Sequence, residues 1–326
     1  MERLLKPIEL PGLRIPGNIF LAPMAGYTDA AFRSLCLEQG ASLAFTEMMS
    51  AEGLARGSRK TLELARRAEN EVLWGVQIFA SEPRSAAAAV HALELLGPSL
   101  YDLNCGCSVP KVLKVGAGAA LLRDPQRIRE ILQAMRGETG APLSVKLRSG
   151  WDPDSLTYLQ AAELAQEGGA SLACLHPRTR SQGFSGTADW SHVARLKRHS
   201  SLAVFGSGDL FSAEQAAVLM GETGCDGVMF ARGAIGNPFV FAQALALFQG
   251  LPPLPSPEAG VRLAAALEQL ARAAVLHGER RACRQMRKHF CAYSRGIPGG
   301  AQLRSRAVRA ERLEDYRQLV EDYLRR

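Results

Sequence analysis

The chain lacks any run approaching the roughly 18 consecutive apolar residues that a membrane-spanning helix needs, so no span is expected. Its opening, Met1 to Pro7, has no apolar core followed by a cleavage site and does not read as a signal peptide. No Cys-x-x-Cys pair occurs, and the seven cysteines are an odd number. That argues against a disulfide scaffold and for free thiols in a reducing cytoplasm. Low-complexity tracts and short repeats are missing as well. With 47% hydrophobic and 22% charged residues, disorder is a poor reading and a globular fold a good one. At roughly 100–200 residues per domain, 326 residues leave room for two domains.

The first 275 residues also lack net charge, with 26 Lys and Arg against 26 Asp and Glu. The whole excess of +7 therefore lies in residues 276–326. Within that segment, Arg280 to Arg309 holds nine basic residues and no acidic one. A neutral body with a basic end suggests a polyanion grasped by one module. A membrane surface is a weaker reading, because the segment shows no broad apolar face.

What is present is a repeat of short apolar runs: Ile19–Ala22, Ser42–Thr46, Val72–Phe79, Leu100–Asn104, Leu143–Leu147, Leu172–His176, Leu202–Phe205 and Gly227–Phe230. Near-continuous apolar character over four to eight residues predicts strands buried on both faces of a parallel sheet. Helical stretches alternate with them at Ser85–Leu96, Pro125–Met135, Leu156–Glu167 and Ser212–Met220, with Asp124 and Ser212 as expected caps. Eight such units predict an α/β fold, a (β/α)8 TIM barrel. A doubly wound sheet is the alternative, but the first loop, Pro23-Met24-Ala25-Gly26, is not a dinucleotide fingerprint. A proline-rich linker is expected at 251–257. It divides a barrel domain, 1–250, from a small all-α domain, 258–326, with helices at Val261–Leu276, Arg280–Tyr293 and Arg309–Tyr323 and a turn at Gly296–Gly300.

In a barrel of this kind, chemistry gathers at the carboxyl ends of the strands. There the sequence places Pro23 and Met24, Glu47, Gln77, then Asn104, Cys105 and Cys107, then Lys146 and Arg148, then His176 and Arg178. After the seventh and eighth strands come Gly206-Ser207-Gly208-Asp209 and Ala231-Arg232-Gly233. Glycines let backbone amides approach a phosphate and Arg232 adds a bidentate contact, so these loops suggest a phosphate site. Either Cys105 or Cys107 is a candidate acid, since an ordinary thiol is mostly protonated at neutral pH. Other cysteine or histidine ligands are not suitably clustered with them, so no metal site is expected.

Several segments together resemble the tRNA-dihydrouridine synthases, in their bacterial FMN-dependent form. These are Leu21-Ala22-Pro23-Met24-Ala25-Gly26-Tyr27-Thr28-Asp29, Asp102-Leu103-Asn104-Cys105-Gly106-Cys107, Val145-Lys146-Leu147-Arg148-Ser149-Gly150-Trp151, His176-Pro177-Arg178-Thr179-Arg180 and Cys225-Asp226-Gly227-Val228-Met229-Phe230-Ala231-Arg232-Gly233. Arg287-Lys288-His289 and Gly296-Ile297-Pro298-Gly299 resemble the signature of the family's helical domain. The resemblance implies an FMN-bound barrel, a helical tRNA-binding domain, and NADPH-driven reduction of the C5=C6 bond of selected uridines in tRNA. It implies FMN contacts at Pro23, Met24, Ala25, Gln77, Lys146, His176, Ser207, Gly208, Asp209, Ala231 and Arg232, and Cys107 as proton donor. It places tRNA against Asn104, Lys111 and Arg178, and against Arg284, Arg287 and Lys288 of the helical domain. Nothing in the sequence demands more than a monomer.

The chain departs from the family pattern at four positions. Ser108 stands where proline usually follows the cysteine, Pro110 replaces a lysine while Lys111 remains, Pro177 replaces a glycine, and Ser207 replaces an asparagine. The first two lie in the active-site loop and bear on which uridine is accepted. Ser207 is expected to keep donating a hydrogen bond to FMN. Two other functions share parts of this pattern: a flavin barrel acting on a small pyrimidine such as dihydroorotate, and an RNA-binding protein without catalysis. The first has no need of a basic helical end, and the second none of Cys107, Lys146, His176 and Arg232.

Overall fold

The computed structural model describes residues 3–325. Met1, Glu2 and Arg326, which open the segment read for a leader and close the expected helical domain, lie outside the described residues. The strands are β1 (Ile8–Leu10), β2 (Leu13–Ile15), β3 (Ile19–Leu21), β4 (Leu43–Ala44), β5 (Met49–Ser50), β6 (Gly75–Phe79), β7 (Leu100–Cys105), β8 (Leu143–Arg148), β9 (Ala170–His176), β10 (Ala203–Ser207) and β11 (Gly227–Phe230).

Strands β3 to β11 make one parallel sheet in the order β4-β3-β11-β10-β9-β8-β7-β6-β5. Its two ends, β4 and β5, are halves of one interrupted barrel strand. Phe45 bridges Gly75, and the Thr46 amide donates to the Gly75 carbonyl at 2.9 Å, which closes the sheet on itself. All eight expected strands are thus present, but the second one is split. The backbone leaves the ladder between the halves and carries Glu47 outward.

The near-continuous apolar runs have a simple cause. Helices cover the outer face, and side chains fill the inside. Phe20, Phe45, Phe205 and Met229 pack within, with Phe20 stacked on Phe205 at 4.3 Å. A Cβ at Gly75 or Gly227 would overlap the Phe45 or Phe205 ring, so these glycines make room for the fill. The β1–β2 hairpin packs on the same cluster through Ile8, Leu10 and Ile15. Its apolar residues alternate with polar ones, so a search for continuous runs passes over it.

The expected helices form at Pro83–Glu94, Pro125–Arg136, Tyr158–Glu167 and Ala213–Thr223. Ser212 caps the last, its hydroxyl accepting from the Gln215 amide at 3.2 Å. Asp124 makes no side-chain cap; Pro125 starts that helix by its fixed φ instead.

Residues 251–258 run without regular structure into four helices, Ala259–His277, Glu279–Tyr293, Gly300–Ala307 and Leu313–Leu324. The expected helix at Arg309–Tyr323 starts later, because the Asp315 carboxylate accepts from the Glu311 and Arg312 amides and holds them in a turn. The short helix at Gly300–Ala307 has no counterpart in the sequence reading.

These helices enclose a second core around Leu263, Leu270, Phe290, Tyr293 and Tyr316. The helix Ala30–Glu38 belongs to both bodies. Phe32 and Cys36 pack in the barrel, while Ala31 packs in the helical core. Arg272 clamps the join, donating to both Glu38 oxygens at 2.7 and 2.9 Å and to Ser34 Oγ at 2.6 Å.

Candidate active site at the carboxyl ends of the barrel strands

A cavity of about 260 Å³ opens where the carboxyl ends of the strands converge. The loop after β3 forms one wall with Pro23, Met24 and Ala25. Met24 is fixed because its amide donates to Thr28 Oγ1 at 3.0 Å, while its carbonyl accepts from the Tyr27 and Thr28 amides. Thr28 is held in turn by the buried Arg33, which donates to its carbonyl at 2.7 Å. Arg33 also makes a bidentate pair with buried Glu71 at 2.6 and 2.9 Å.

Strands β6 to β8 bring Gln77, Asn104 and Lys146 to the cavity. The two candidate thiols separate here. Cys105 is fully buried and packs outward against the helices, and burial pushes its thiol far up. Cys107 is half-buried on the cavity wall. Burial raises its thiol above the ordinary range, and nearby Arg148 only partly opposes this, so it is protonated at neutral pH. The backbone around it is gripped from three sides. Asn104 Oδ1 accepts from the Cys107 amide at 2.9 Å, Arg148 Nε donates to the Gly106 carbonyl at 2.8 Å, and the Ala119 amide donates to the Cys107 carbonyl at 3.0 Å. Ser108 lines the cavity, and Pro110 occupies the first turn of the helix Pro110–Lys114, where its missing N–H costs nothing.

The far side is strongly cationic. Lys146, Arg148, Arg178 and Arg232 surround His176; burial first, then these charges, lower its pKa to about 2. The ring is therefore neutral. An arginine cannot accept, so the 3.4 Å contact from Arg178 Nη1 makes His176 Nε2 an acceptor and leaves the proton on Nδ1. Asp209, at φ +54°, carries the single carboxylate among the lining residues. Burial raises its pKa, but Arg178, the Ala188 amide and Arg232 outweigh burial and hold it below the usual range. The amides of Gly208 and Asp209 find no partner among the described residues. Arg232 lies over the exposed rings of Phe184 and Phe211, at 4.4 and 5.5 Å.

Three expectations need correction. Arg178, expected to face tRNA, is 2% exposed and committed to Asp209 at 2.8 and 2.6 Å and to the Ser185 and Gly186 carbonyls. The Ser207 hydroxyl is buried and donates to the Met229 carbonyl at 2.9 Å, so its hydrogen is not offered to a ligand. Arg287 and Lys288 turn inward. Arg287 donates to the Ala310 carbonyl at 3.2 Å; Lys288 donates to the Gly26 carbonyl and sits 4.3 Å above the Tyr27 ring. Of that trio, only Arg284 is exposed and without an ionic partner among the described residues.

A second cavity, about 340 Å³, lies where the barrel meets the helices. Lys60, Lys111 and Arg281 line it beside Glu47 and Glu63. Lys111 is exposed there, next to the loop that carries Cys107. Sequence reasoning passed over Met48, Phe184 and Phe211 as cavity walls. Residues 180–188 and 211 lie in the loops after the sixth and seventh apolar runs but beyond their immediate ends, and a lone phenylalanine in a loop carries no chemical signal.

The donor set suits a planar ligand with polar edges that ends in a phosphate. Met24, Ala25 and Leu147 give apolar surface, Gln77, Asn104 and Lys146 give hydrogen-bonding groups, and Arg232 with two free amides gives an anion cradle.

The comparisons with known proteins agree with this geometry. A probable tRNA-dihydrouridine synthase of Treponema pallidum is 42% identical, covering 97% of this chain and 96% of that protein. One of Mycobacterium tuberculosis is 37% identical, covering 91% and 78%. Among solved structures, histamine dehydrogenase from Rhizobium sp. 4-9 matches in fold, with a TM-score of 0.59 at 14% identity over 82% of this chain and 51% of that one. The sequence profile of the dihydrouridine synthase family matches residues 20–326, and the chain belongs to that family.

Proposed function

We propose that the protein is an FMN- and NADPH-dependent tRNA-dihydrouridine synthase that reduces the C5=C6 bond of particular uridines in tRNA. In this reading residues 1–250 hold the flavin, 251–257 link, and 258–326 bind tRNA in the cytoplasm. The observation that carries it is the placing of the two thiols. Cys105 is sealed in the wall, while Cys107 faces a cavity whose other side is built for an anionic planar ligand.

FMN, when bound, supplies the hydride that one uracil carbon receives and is recharged by NADPH. The residues do the rest. Arg232 and the Gly208 and Asp209 amides bind the phosphate. Lys146 places a fixed positive charge where negative charge grows on reduction. Neutral His176 offers Nδ1–H as a donor without adding charge. Cys107 Sγ gives its proton to the second uracil carbon and regains one from solvent, to which it is half-open. A uridine folded into tRNA must be extruded at a cost of a few kcal/mol, and phosphate contacts from exposed Arg284 and Lys111 offset this.

The test is anaerobic. The purified protein is reduced with NADPH and mixed with unmodified tRNA, free uridine or orotate. Reoxidation by tRNA alone is expected. Reoxidation by orotate would move the assignment to a small-molecule dehydrogenase, and a colourless protein would remove the flavin.

A further inference from the structure

The barrel interior contains a carboxylate that the chemistry above leaves unused. Asp102 sits on β7, 2% exposed, and both neighbouring strands direct donors at it. Ser144 Oγ on β8 donates to Oδ1 at 2.6 Å, and Gln77 Nε2 on β6 donates to Oδ2 at 2.7 Å. The chain of contacts continues upward. Gln77 Oε1 accepts from Asn104 Nδ2 at 2.8 Å, and Asn104 Oδ1 accepts from the amides of Cys107 and Gly106 at 2.9 and 3.2 Å.

An amide side chain has a donor end and an acceptor end, and its neighbours decide which way it points. An ionised carboxylate only accepts. Gln77 must therefore turn its NH2 toward Asp102 and its carbonyl toward Asn104. Asn104 must then turn its NH2 toward Gln77 and its carbonyl toward the loop. With Asn104 reversed, an NH2 would face two backbone N–H groups. Burial raises the Asp102 pKa to about 6 against the Ser144 and Gln77 hydrogen bonds and Lys146, which leaves it mostly ionised at neutral pH.

We propose that Asp102 is a positioning residue for Cys107: its carboxylate sets the direction of a Gln77–Asn104 amide relay that holds the Gly106–Cys107 backbone, and with it the thiol, against the cavity. The consequence for catalysis rests on Cys107 being the proton donor.

The test uses Asp102→Leu, which cannot accept, and Asp102→Asn, which can. In the asparagine variant the Ser144 hydroxyl accepts from the new NH2, which leaves the carbonyl for Gln77. Asp102→Leu is expected to slow flavin reoxidation by tRNA about 10- to 100-fold, as a thiol misplaced by about 1 Å would, while NADPH reduces the flavin within about twofold of the wild-type rate. Asp102→Asn is expected to stay within about threefold in both steps. Asp102→Asn/Ser144→Ala, whose new amide has nothing to fix it, is expected to behave like the leucine variant, and it decides the matter if leucine prevents folding. Alkylation of Cys107 by iodoacetamide, read by peptide mass spectrometry, follows the same order and needs no tRNA. Equal alkylation and turnover in wild type and Asp102→Leu would overturn the relay. So would an asparagine variant as defective as the leucine one, which would make charge, not direction, the property that matters. Wild-type protein that tRNA does not reoxidise would instead reject the proposed reduction of tRNA, on which the catalytic role of Cys107 rests, with alkylation alone deciding the relay.

Discussion

Replacing Arg33 by methionine tests how the cavity loop after β3 is held. Arg33 is fully buried and makes four hydrogen bonds: two to Glu71, one to the Thr28 carbonyl and one to the Arg66 carbonyl, all between 2.6 and 2.9 Å. Its loss leaves Glu71, 1% exposed, as an unpaired buried charge. Breaking one side of such a pair costs about 3–5 kcal/mol, a large share of the roughly 5–15 kcal/mol that stabilises a typical domain. The urea midpoint should fall by on the order of 1 M. Thr28 exchanges hydrogen bonds with Met24, so freeing it also loosens the cavity wall, and on the proposed function flavin affinity should drop about tenfold, equivalent to ~1.4 kcal/mol. The double variant Arg33→Met/Glu71→Leu removes the stranded charge. It should recover stability to within about 1 kcal/mol of wild type, yet keep the weakened flavin binding, because the Thr28 contact stays lost. A single variant that costs under about 1 kcal/mol, or a double variant no better than the single, would refute this account.

Three further outcomes are expected. Arg284→Ala should weaken tRNA binding in filter titrations and lower the log–log salt slope by about 0.7–0.9, whereas Lys288→Met should leave that slope unchanged, because Lys288 is held by Gly26 and Tyr27. Burial lowers the His289 pKa to about 4, so the unfolded chain binds a proton that the folded one refuses between pH 6.5 and 4. Stability should therefore fall as pH drops through that window, by about 1.4 kcal/mol per pH unit from this group, and His289→Asn should flatten the urea-midpoint profile. A Cβ at Gly233 would overlap the Leu210 carbonyl, so Gly233→Ala should displace the loop beside Arg232 and yield protein that loses flavin on gel filtration.

The barrel was legible in the sequence because strands buried on both faces leave unbroken apolar runs. Alternating strands such as β1 and β2 leave none. The choice between the thiols was half legible. Tyr101, Leu103 and Cys105 alternate outward while Asp102 and Asn104 point in, so Cys105 belongs to the wall. Continued alternation would bury Cys107 too. The chain leaves the strand at Gly106, and this redirects the thiol in a way no periodicity records. Cations were misread for a related reason. Composition shows that Arg178 and Lys288 are positive, but not that Asp209 and the Gly26 carbonyl, distant in sequence, would meet them. A basic segment signals a polyanion only through those side chains that folding leaves outside.

The helix Ala30–Glu38 imposes an order on biosynthesis. One of its faces needs Arg272 and the cluster around Leu270, which leave the ribosome roughly 240 residues later. At about 5–20 residues per second that is a delay on the order of 10–50 s. For most of this time the sheet itself is incomplete, because β11, which pairs with β3, ends at Phe230; only over the last roughly 40 residues does a closable barrel carry Ala31 and Ser34 without their cover. The helix Ala259–His277 therefore acts on the first one, and truncation between residues 258 and 277 should register as chaperone-bound barrel and not as a working catalytic half. Ribosome-stalled chains of increasing length, probed by limited proteolysis, would show protection of that helix only once residue 277 has emerged.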